Sequence, residues 1–378
     1  MGKLPSLVMK RLLNVVSNMP DMHPVLIMAG GTGGHVFPAL AVADELRQRG
    51  IPVVWLGTRA GIEARLVPAA GYPIEWLSVS GLRGKKMMTL VLAPLKLLQA
   101  CWQASAVIRR HKPSAVLGMG GFASGPGGLV AWLSRKPLLI HEQNAVPGLT
   151  NKLLAKVAGV VMQAFPSAFG SQATTLGNPV RESICHLALP KDRLSSHQGR
   201  LRVLVIGGSL GAVKLNEVIP QALNKISIDA RPEVIHQTGL KNLDTARAVY
   251  QQNNVEAKVD AFIDDMAQVY NWADLVICRA GAMTVFELAA AGVASILVPY
   301  PYAVDDHQTA NALYLQEAGA AIIKQQSELD SEWLVNTLND FMKNRNRLLQ
   351  MANAARALAI PASAKQIADL CLDAGAVL

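Results

Sequence analysis

Val25-Leu26-Ile27-Met28-Ala29-Gly30-Gly31-Thr32-Gly33-Gly34-His35 is an apolar run that breaks into glycines. A run this short, closed by glycine and followed by a helical pattern, predicts a buried parallel strand, a tight turn and a helix start. Such a turn points backbone N–H groups and the positive end of a helix at an anion. The same pattern returns about a domain length later, where Val203 to Ile206 runs into Gly207-Gly208-Ser209-Leu210-Gly211. Two units of this kind predict two similar α/β halves that face a phosphate-bearing ligand across a cleft.

Further strand-like runs alternate with helical patterns. The first half offers Val53 to Gly57, Val116 to Met119, Leu138 to His141 and Val160 to Gln163, with a helix over Pro38 to Arg49 that has Pro38 in its first turn. The second half offers Glu233 to Gln237, Leu275 to Cys278, Ser295 to Pro299 and Ala321 to Lys324. Turn-forming and charged residues between Gly177-Asn178-Pro179 and Gly199 mark the boundary. The expected domains are residues 23–180 and 181–360, with a helix over about 361–378 packing back on the first. Residues 1–22 read as an N-terminal extension, compatible with disorder.

The chain has 378 residues, 51% of them hydrophobic, enough for a full core in each of two domains. Its net charge of +9 favours a polyanionic partner: nucleic acid, an anionic membrane surface or a phosphorylated substrate. An ordinary basic enzyme without such a partner has the same balance. The four cysteines form no CxxC and no zinc spacing, as expected of free thiols in a reducing compartment and of a chain with no metal site. The best apolar stretch, Met87 to Leu98, holds Pro94 and Lys96 and is too short to span a bilayer. Lys10 and Arg11 interrupt the N-terminal apolar portion, which makes a poor signal peptide.

Neither glycine turn has the strict GxGxxG spacing, and neither carries the Gly-Lys-Ser/Thr of a P-loop, so NAD and ATP are poor ligands to expect. A third glycine-rich piece, Gly118 to Gly128, suggests close approach to a ligand, or else a bulge. His141-Glu142-Gln143-Asn144 follows a strand, at the carboxyl end where open α/β sheets bind ligands. Arg279 to Glu287 reads as another helix start. There Glu287 suits vicinal ribose hydroxyls, though a capping role fits the same residue. Asp305-Asp306-His307-Gln308 is weak as a metal site and equally suited to sugar hydroxyls. Leu82-Arg83-Gly84-Lys85-Lys86 leads into Val91, Leu92, Leu95, Leu97 and Leu98. Both an anionic bilayer surface and a core helix with a solvated end fit that mixture.

From about Pro24 to the C-terminus these motifs together closely resemble the MurG family of bacterial peripheral membrane glycosyltransferases. The shared motifs include Gly30 to Pro38, Gly118 to Gly128, His141 to Asn144, Gly177 to Arg181, Gly207 to Ala212, Phe262 to Met266, Arg279 to Glu287 and Asp306 to Gln308. The resemblance implies an α/β protein of two Rossmann-like domains with parallel sheets facing across a cleft, the GT-B architecture, and transfer of N-acetylglucosamine from UDP-N-acetylglucosamine to lipid I, giving lipid II for peptidoglycan synthesis. It also implies a place at the cytoplasmic face of the inner membrane and no cofactor. Carried over by motif, Ile263 and Arg181 lie near the uracil and Glu287 takes the ribose. Ser209 and the turn of Ala282, Met283, Thr284 and Val285 hold the diphosphate, and Gln308 with His307 reads the sugar. Thr32, Gly33, Gly34 and Asn144 complete the site from the first domain. Arg83, Lys85 and Lys86 are expected at an anionic membrane surface. Leu210 stands where the family commonly has Gln, and Phe122 where it often has Tyr.

The resemblance further implies a β-1,4 product from an α-linked donor, and hence inversion in one in-line displacement. This needs a base at the attacking hydroxyl and stabilisation of the departing diphosphate. His35 is the candidate base, with Glu142 and His141 as alternatives, and substrate positioning fits His35 nearly as well. A UDP-N-acetylglucosamine 2-epimerase would use the same donor, but the basic-apolar stretch from Leu82 argues against it. A nucleic-acid module would interleave stacking aromatics with Arg and Lys, a pattern the chain lacks.

Overall fold

The computed structural model describes residues 23–78, 93–195, 197, 199–208 and 211–376. Arg83, Lys85, Lys86, Ser209 and Leu210 lie outside the described residues. The first half runs β1 (Val25–Met28), α1 (Gly33–Gln48), β2 (Val53–Gly57), α2 (Glu63–Ala69), β3 (Ile74–Trp76), α3 (Ala93–His111), β4 (Ala115–Gly118), α4 (Ser124–Leu133), β5 (Leu138–Glu142), α5 (Leu149–Leu154), β6 (Val160–Gln163) and β7 (Thr174–Thr175). These strands form a seven-stranded sheet in the order β3-β2-β1-β4-β5-β6-β7. The second half runs α6 (Glu182–Cys185), α7 (Pro190–Ser195), β8 (Arg202–Ile206), α8 (Val213–Asn224), β9 (Glu233–Gln237), α9 (Leu243–Gln252), β10 (Lys258–Asp260), α10 (Met266–Trp272), β11 (Leu275–Cys278), α11 (Ala282–Ala291), β12 (Ala294–Leu297), α12 (His307–Glu317), β13 (Ala321–Ile323), α13 (Ser331–Lys343), α14 (Arg345–Ala357) and α15 (Ser363–Ala376). Its sheet has six strands in the order β10-β9-β8-β11-β12-β13.

The pairings explain the apolar runs. β1 lies between β2 and β4, parallel to both, and its four side chains are fully buried. In the second sheet the two faces feed two separate apolar clusters. Val203, Val205, Leu275, Ile277, Ala294 and Ile296 enter one, and Leu204, Ile206, Val276, Cys278 and Leu297 enter the other. With both faces covered, a strand is apolar at every position rather than at alternate ones. α8 closes one face with Leu215, Val218, Ile219, Ala222 and Leu223, spaced at three and four residues.

By packing, the chain divides into two compact units. One takes in the chain up to Ile140, Leu153–Val160 and the stretch from Ala368; the other takes in His141–Lys152 and Val161–Ile367. Within the first unit, the Asp369 carboxylate of α15 pairs with Arg49 at the end of α1, and Gly375 lies against Ser114.

Several boundaries differ from the sequence reading. α1 begins at Gly33, five residues before Pro38, which therefore sits in the second turn. The Thr32 carbonyl accepts from the amides of His35 and Val36, each at 3.2 Å, and this opens the helix on glycine despite its poor propensity. β3, β7 and β10 were not expected. They are two or three residues long and lie at or next to a sheet edge, where one-sided burial leaves no apolar run to read.

Two histidines of the second unit are enclosed without charge. Burial lowers His236 to about 3, and its Nδ1 meets the Tyr250 hydroxyl at 2.9 Å. Burial likewise lowers His141 to about 4, against an opposing backbone bond to Gly177. The unfolded chain protonates both near 6.5 while the folded chain leaves both neutral, so folding stability falls as pH drops from 6.5 toward 4. Urea unfolding between pH 6 and pH 5 should lose about 1.4 kcal/mol per pH unit for each histidine. A His236→Leu variant should show about half that slope.

Candidate active site

In the first unit, three glycine-rich segments meet at the carboxyl ends of β1, β2 and β4. Thr32 is the extended residue before α1 and is exposed, with Gly33 and Gly34 opening the helix behind it. The Gly31 amide, expected to face an anion, donates instead to the Glu63 carboxylate at 2.8 Å. His35 lies in the first turn of α1, and its ring rests against the third segment: a Cβ on Gly120 would come within 2.8 Å of Nδ1. Gly120 has φ +95° and Gly121 φ +86°, and the Gly30 carbonyl fills the space where a Gly121 side chain would go. Ser124 Oγ lies 3.0 Å from the Met28 carbonyl and 2.9 Å from that of Gly120, tying this segment to the end of β1.

His141 and Glu142, the alternative bases, are parts of the scaffold. His141 Nε2 meets the Gly177 carbonyl at 2.9 Å, and its Nδ1 meets Gln143 Nε2 at 3.1 Å. Glu142 is 1% exposed and takes four donors: the amides of Asn144 (2.9 Å) and Gly148 (3.1 Å), and the side-chain amides of Asn144 (3.3 Å) and Asn151 (2.9 Å). A carboxylate so surrounded has its acceptor positions occupied by the protein itself. It shapes the loop from Gln143 to Gly148. Asn144, expected to reach in from the first domain, counts with the second unit. Its Oδ1 accepts from Asn311 Nδ2 at 3.3 Å, and Asn311 Oδ1 accepts the Ala145 amide at 2.8 Å. Asn311 Nδ2 also lies 3.2 Å from the Ala280 carbonyl, joining this loop to the turn before α11.

That turn carries the second unit's ligand-ready groups. Gly281 precedes α11 in extended conformation, and among the described residues no side chain caps the first amides, from Ala282 to Thr284. Val285 is buried in the core of this unit, as is Ile263. One turn along, Glu287 Oε2 accepts from the buried Tyr270 hydroxyl at 3.1 Å, and Oε1 lies 3.5 Å from Arg181 Nη2. Burial raises the Glu287 carboxyl, while Arg181 and the Tyr270 bond oppose the rise. Arg279 donates to the carbonyls of Val298 (3.1 Å) and Pro299 (3.2 Å), bracing the end of β12. His307 and Gln308 open α12, and Gln308 Oε1 accepts the Tyr300 amide at 2.9 Å, which leaves its amide nitrogen for a ligand. In the second glycine turn, Gly207 donates to the Gln237 carbonyl at 2.9 Å, and a Cβ there would lie 2.9 Å from the same oxygen.

Residues 25–163 match the N-terminal domain of glycosyltransferase family 28, and residues 202–369 match its C-terminal domain. The chain belongs to glycosyltransferase family 28. It is 52% identical, over 92% of its length and 97% of the relative, to the UDP-N-acetylglucosamine–N-acetylmuramyl-(pentapeptide) pyrophosphoryl-undecaprenol N-acetylglucosamine transferase of Marinobacter nauticus. The protein of that name from Nitrosococcus oceani is 54% identical over 92% of this chain and 98% of the relative. Acinetobacter baumannii MurG has the same fold, with a TM-score of 0.80 at 43% identity over 92% of this chain and 99% of that one. A UDP-GlcNAc 2-epimerase from Neisseria meningitidis shares the fold alone, with a TM-score of 0.63 at 13% identity over 93% of this chain and 100% of that one.

This family 28 glycosyltransferase therefore gathers Arg181, Ile263, Ala282 to Val285, Glu287, His307, Gln308 and Asn144 in one unit and Thr32 to His35 in the other. Sequence reading missed Glu63, Asn151, Tyr270 and Asn311. Only Asn311 left a trace, four residues after His307 and hence on its face of α12. Gly120→Ala would force a methyl into the His35 ring at a backbone angle that favours glycine. It should cost about 1–3 kcal/mol in stability and shift the His35 ring resonances, read by denaturant unfolding and histidine NMR.

Proposed function

We propose that this chain transfers N-acetylglucosamine from UDP-N-acetylglucosamine to the 4-hydroxyl of the muramoyl sugar of lipid I, giving lipid II for peptidoglycan synthesis. The observation that carries this reading is the Glu287–Tyr270–Arg181 cluster beside the uncapped start of α11. It occurs in a chain more than half identical to relatives bearing that transferase's name. A carboxylate with lone pairs to spare binds vicinal hydroxyls, and helix amides one turn away bind a diphosphate.

In this scheme Glu287 holds the ribose, with Arg181 and Ile263 beside the uracil. The amides of Ala282 to Val285, with Ser209, hold the diphosphate, and Gln308 with His307 reads the sugar. The acceptor 4-oxygen attacks the anomeric carbon, the bond to the β-phosphate oxygen breaks, and its electron pair leaves with UDP. His35 takes the hydroxyl proton as Thr32, Gly33 and Gly34 orient the acceptor. Asn144 orders the loop next to α11. Positive amide dipoles stabilise the charge that grows on the leaving group.

The lipid acceptor calls for a surface that rests on an anionic bilayer at the cytoplasmic face of the inner membrane. α3 and α4 pack on one another, and their outer faces expose Leu95, Leu98 and Trp102 with Trp132 and Leu133. Lys96 and Arg135 stand exposed on the same two elements' surface, and three basic residues, Arg83, Lys85 and Lys86, precede α3 in sequence. Apolar side chains that dip into headgroups beside cations are a means of peripheral binding. Among the described residues, no helix is long and apolar enough to cross a membrane.

Labelled sugar should pass from UDP-N-acetylglucosamine to a short-chain lipid I analogue, with UDP released only when the acceptor is present. Conversion of the donor to its 2-epimer without acceptor would favour an epimerase. His35→Ala should lower kcat by about 100-fold or more, the usual contribution of a general base, and near-normal turnover would remove it from that role. Trp102→Glu, alone or with Arg83, Lys85 and Lys86 changed to Glu, should weaken sedimentation with anionic vesicles while leaving transfer to a water-soluble acceptor intact.

A further inference from the structure

Glu63 is the first residue of α2 and is fully buried. Its Oε2 accepts the Gly31 amide at 2.8 Å, and its Oε1 accepts the Thr58 amide at 3.0 Å and the Thr58 hydroxyl at 2.7 Å. Three donors and no acceptor face it, which suits a group that only accepts. The chain has cleared space for this side chain from three directions. A Cβ on Gly30 would lie 2.5 Å from Oε1, one on Gly57 would lie 2.9 Å from Cγ, and one on Gly61 would overlap the carboxylate itself. These glycines belong to the end of β1, the end of β2 and the turn before α2.

Burying a carboxylate is costly, and packing alone could be met by a leucine. What a leucine cannot do is hold the Gly31 amide. Gly31 has φ +91°, and open space surrounds the position its side chain would take, so no contact of its own fixes this turn. Thr32 follows in extended conformation, α1 starts at Gly33, and His35 places its ring on Gly120. The direction in which α1 leaves β1, and hence the position of the imidazole, is set by where the Gly31 peptide is held.

We propose that Glu63 is a positioning residue for glycosyl transfer: it fixes the Gly31 turn, and through it His35, without touching the substrate. The inference rests on the reading of His35 as the base. Glu63→Gln keeps the shape but turns one acceptor into an N–H donor, opposing either the Gly31 amide or the Thr58 pair. Its Gly31 amide should exchange with solvent at least about tenfold faster than in the wild type, with β1 amides still protected. Its kcat should fall by about 10- to 100-fold, as expected of a misplaced catalytic group, with KM for UDP-N-acetylglucosamine within about twofold. The pH limb of kcat that is lost in His35→Ala should be displaced in Glu63→Gln.

Thr58→Val, which removes one of the three donors and leaves the Gly31 bond, should move kcat the same way by a smaller factor. It serves if Glu63→Gln does not fold. Unchanged Gly31 exchange in Glu63→Gln overturns the inference whatever the activity. So does faster exchange with an unaltered kcat and pH limb, or a parallel loss of kcat and donor affinity in proportion to lost folded protein. A wild-type chain that transfers no sugar, with Gly31 protected as described, would instead overturn the transferase reading and the role in catalysis with it.

Discussion

Parallel strands buried on both faces can show ligands only their ends, and the chemistry of this chain follows from that constraint. A β-ladder covered above and below has no side chain to offer from its middle, so polar groups collect where strands stop and backbone amides come free. β1, β4 and β5 in the first sheet stop at Gly30, Gly118 and the His141–Asn144 loop; β8 and β11 in the second stop at Gly207 and Arg279. Each stop needs a tight turn. Each turn must then be held by something other than the sheet, because the ladder hydrogen bonds have ended.

Buried polar side chains supply that hold. Glu63 holds the turn after β1, Ser124 joins the turn after β4 to the end of β1, and Glu142 gathers the loop after β5. Asn311 joins the same loop to the Ala280 carbonyl, and Arg279 braces the carbonyls that follow β12. Each of these groups is costly to bury alone and is kept only with its partners satisfied. Within each unit the turns are thus tied by side chains before any ligand arrives.

The apolar runs made the central strands and the two glycine turns legible from sequence, because burial on both faces writes itself as uninterrupted Val, Leu and Ile. Local spacing also carried the start of α11, where small residues and a threonine follow a strand, although Glu287 falls in the second turn of the helix rather than in its first. The supporting residues could not be read in this way. Gly31 and Glu63 are 32 residues apart, and Ala145 and Asn311 are 166 apart. A lone Glu in Gly61-Ile62-Glu63-Ala64 has the same local pattern as a solvated helix start, and only the fold shows glycines from other segments making room for it. The partners of His141 and Glu142 were hidden for the same reason. Four polar residues in a row after a strand announce a polar loop, but which of them faces inward depends on donors such as Asn151 and Gly148 that the loop itself brings round.

The number of donors already spent differs among the three glutamates buried in the described residues. Glu142 receives four and Glu63 three, which leaves little acceptor capacity for a ligand. Glu287 receives one short bond, from Tyr270, and a long one of 3.5 Å from Arg181. An ionised carboxylate has about four lone-pair sites, so Glu287 alone keeps room for two further donors, the number a vicinal diol brings. Burial raises its carboxyl and makes the charged form costly, and Arg181 with Tyr270 offsets that cost in part. A diol that donates twice to the charged form would offset the remainder. The carboxylate left incompletely satisfied is thus the one with acceptor capacity for the vicinal diol of the proposed donor, and the two saturated ones spend theirs on the turns around them.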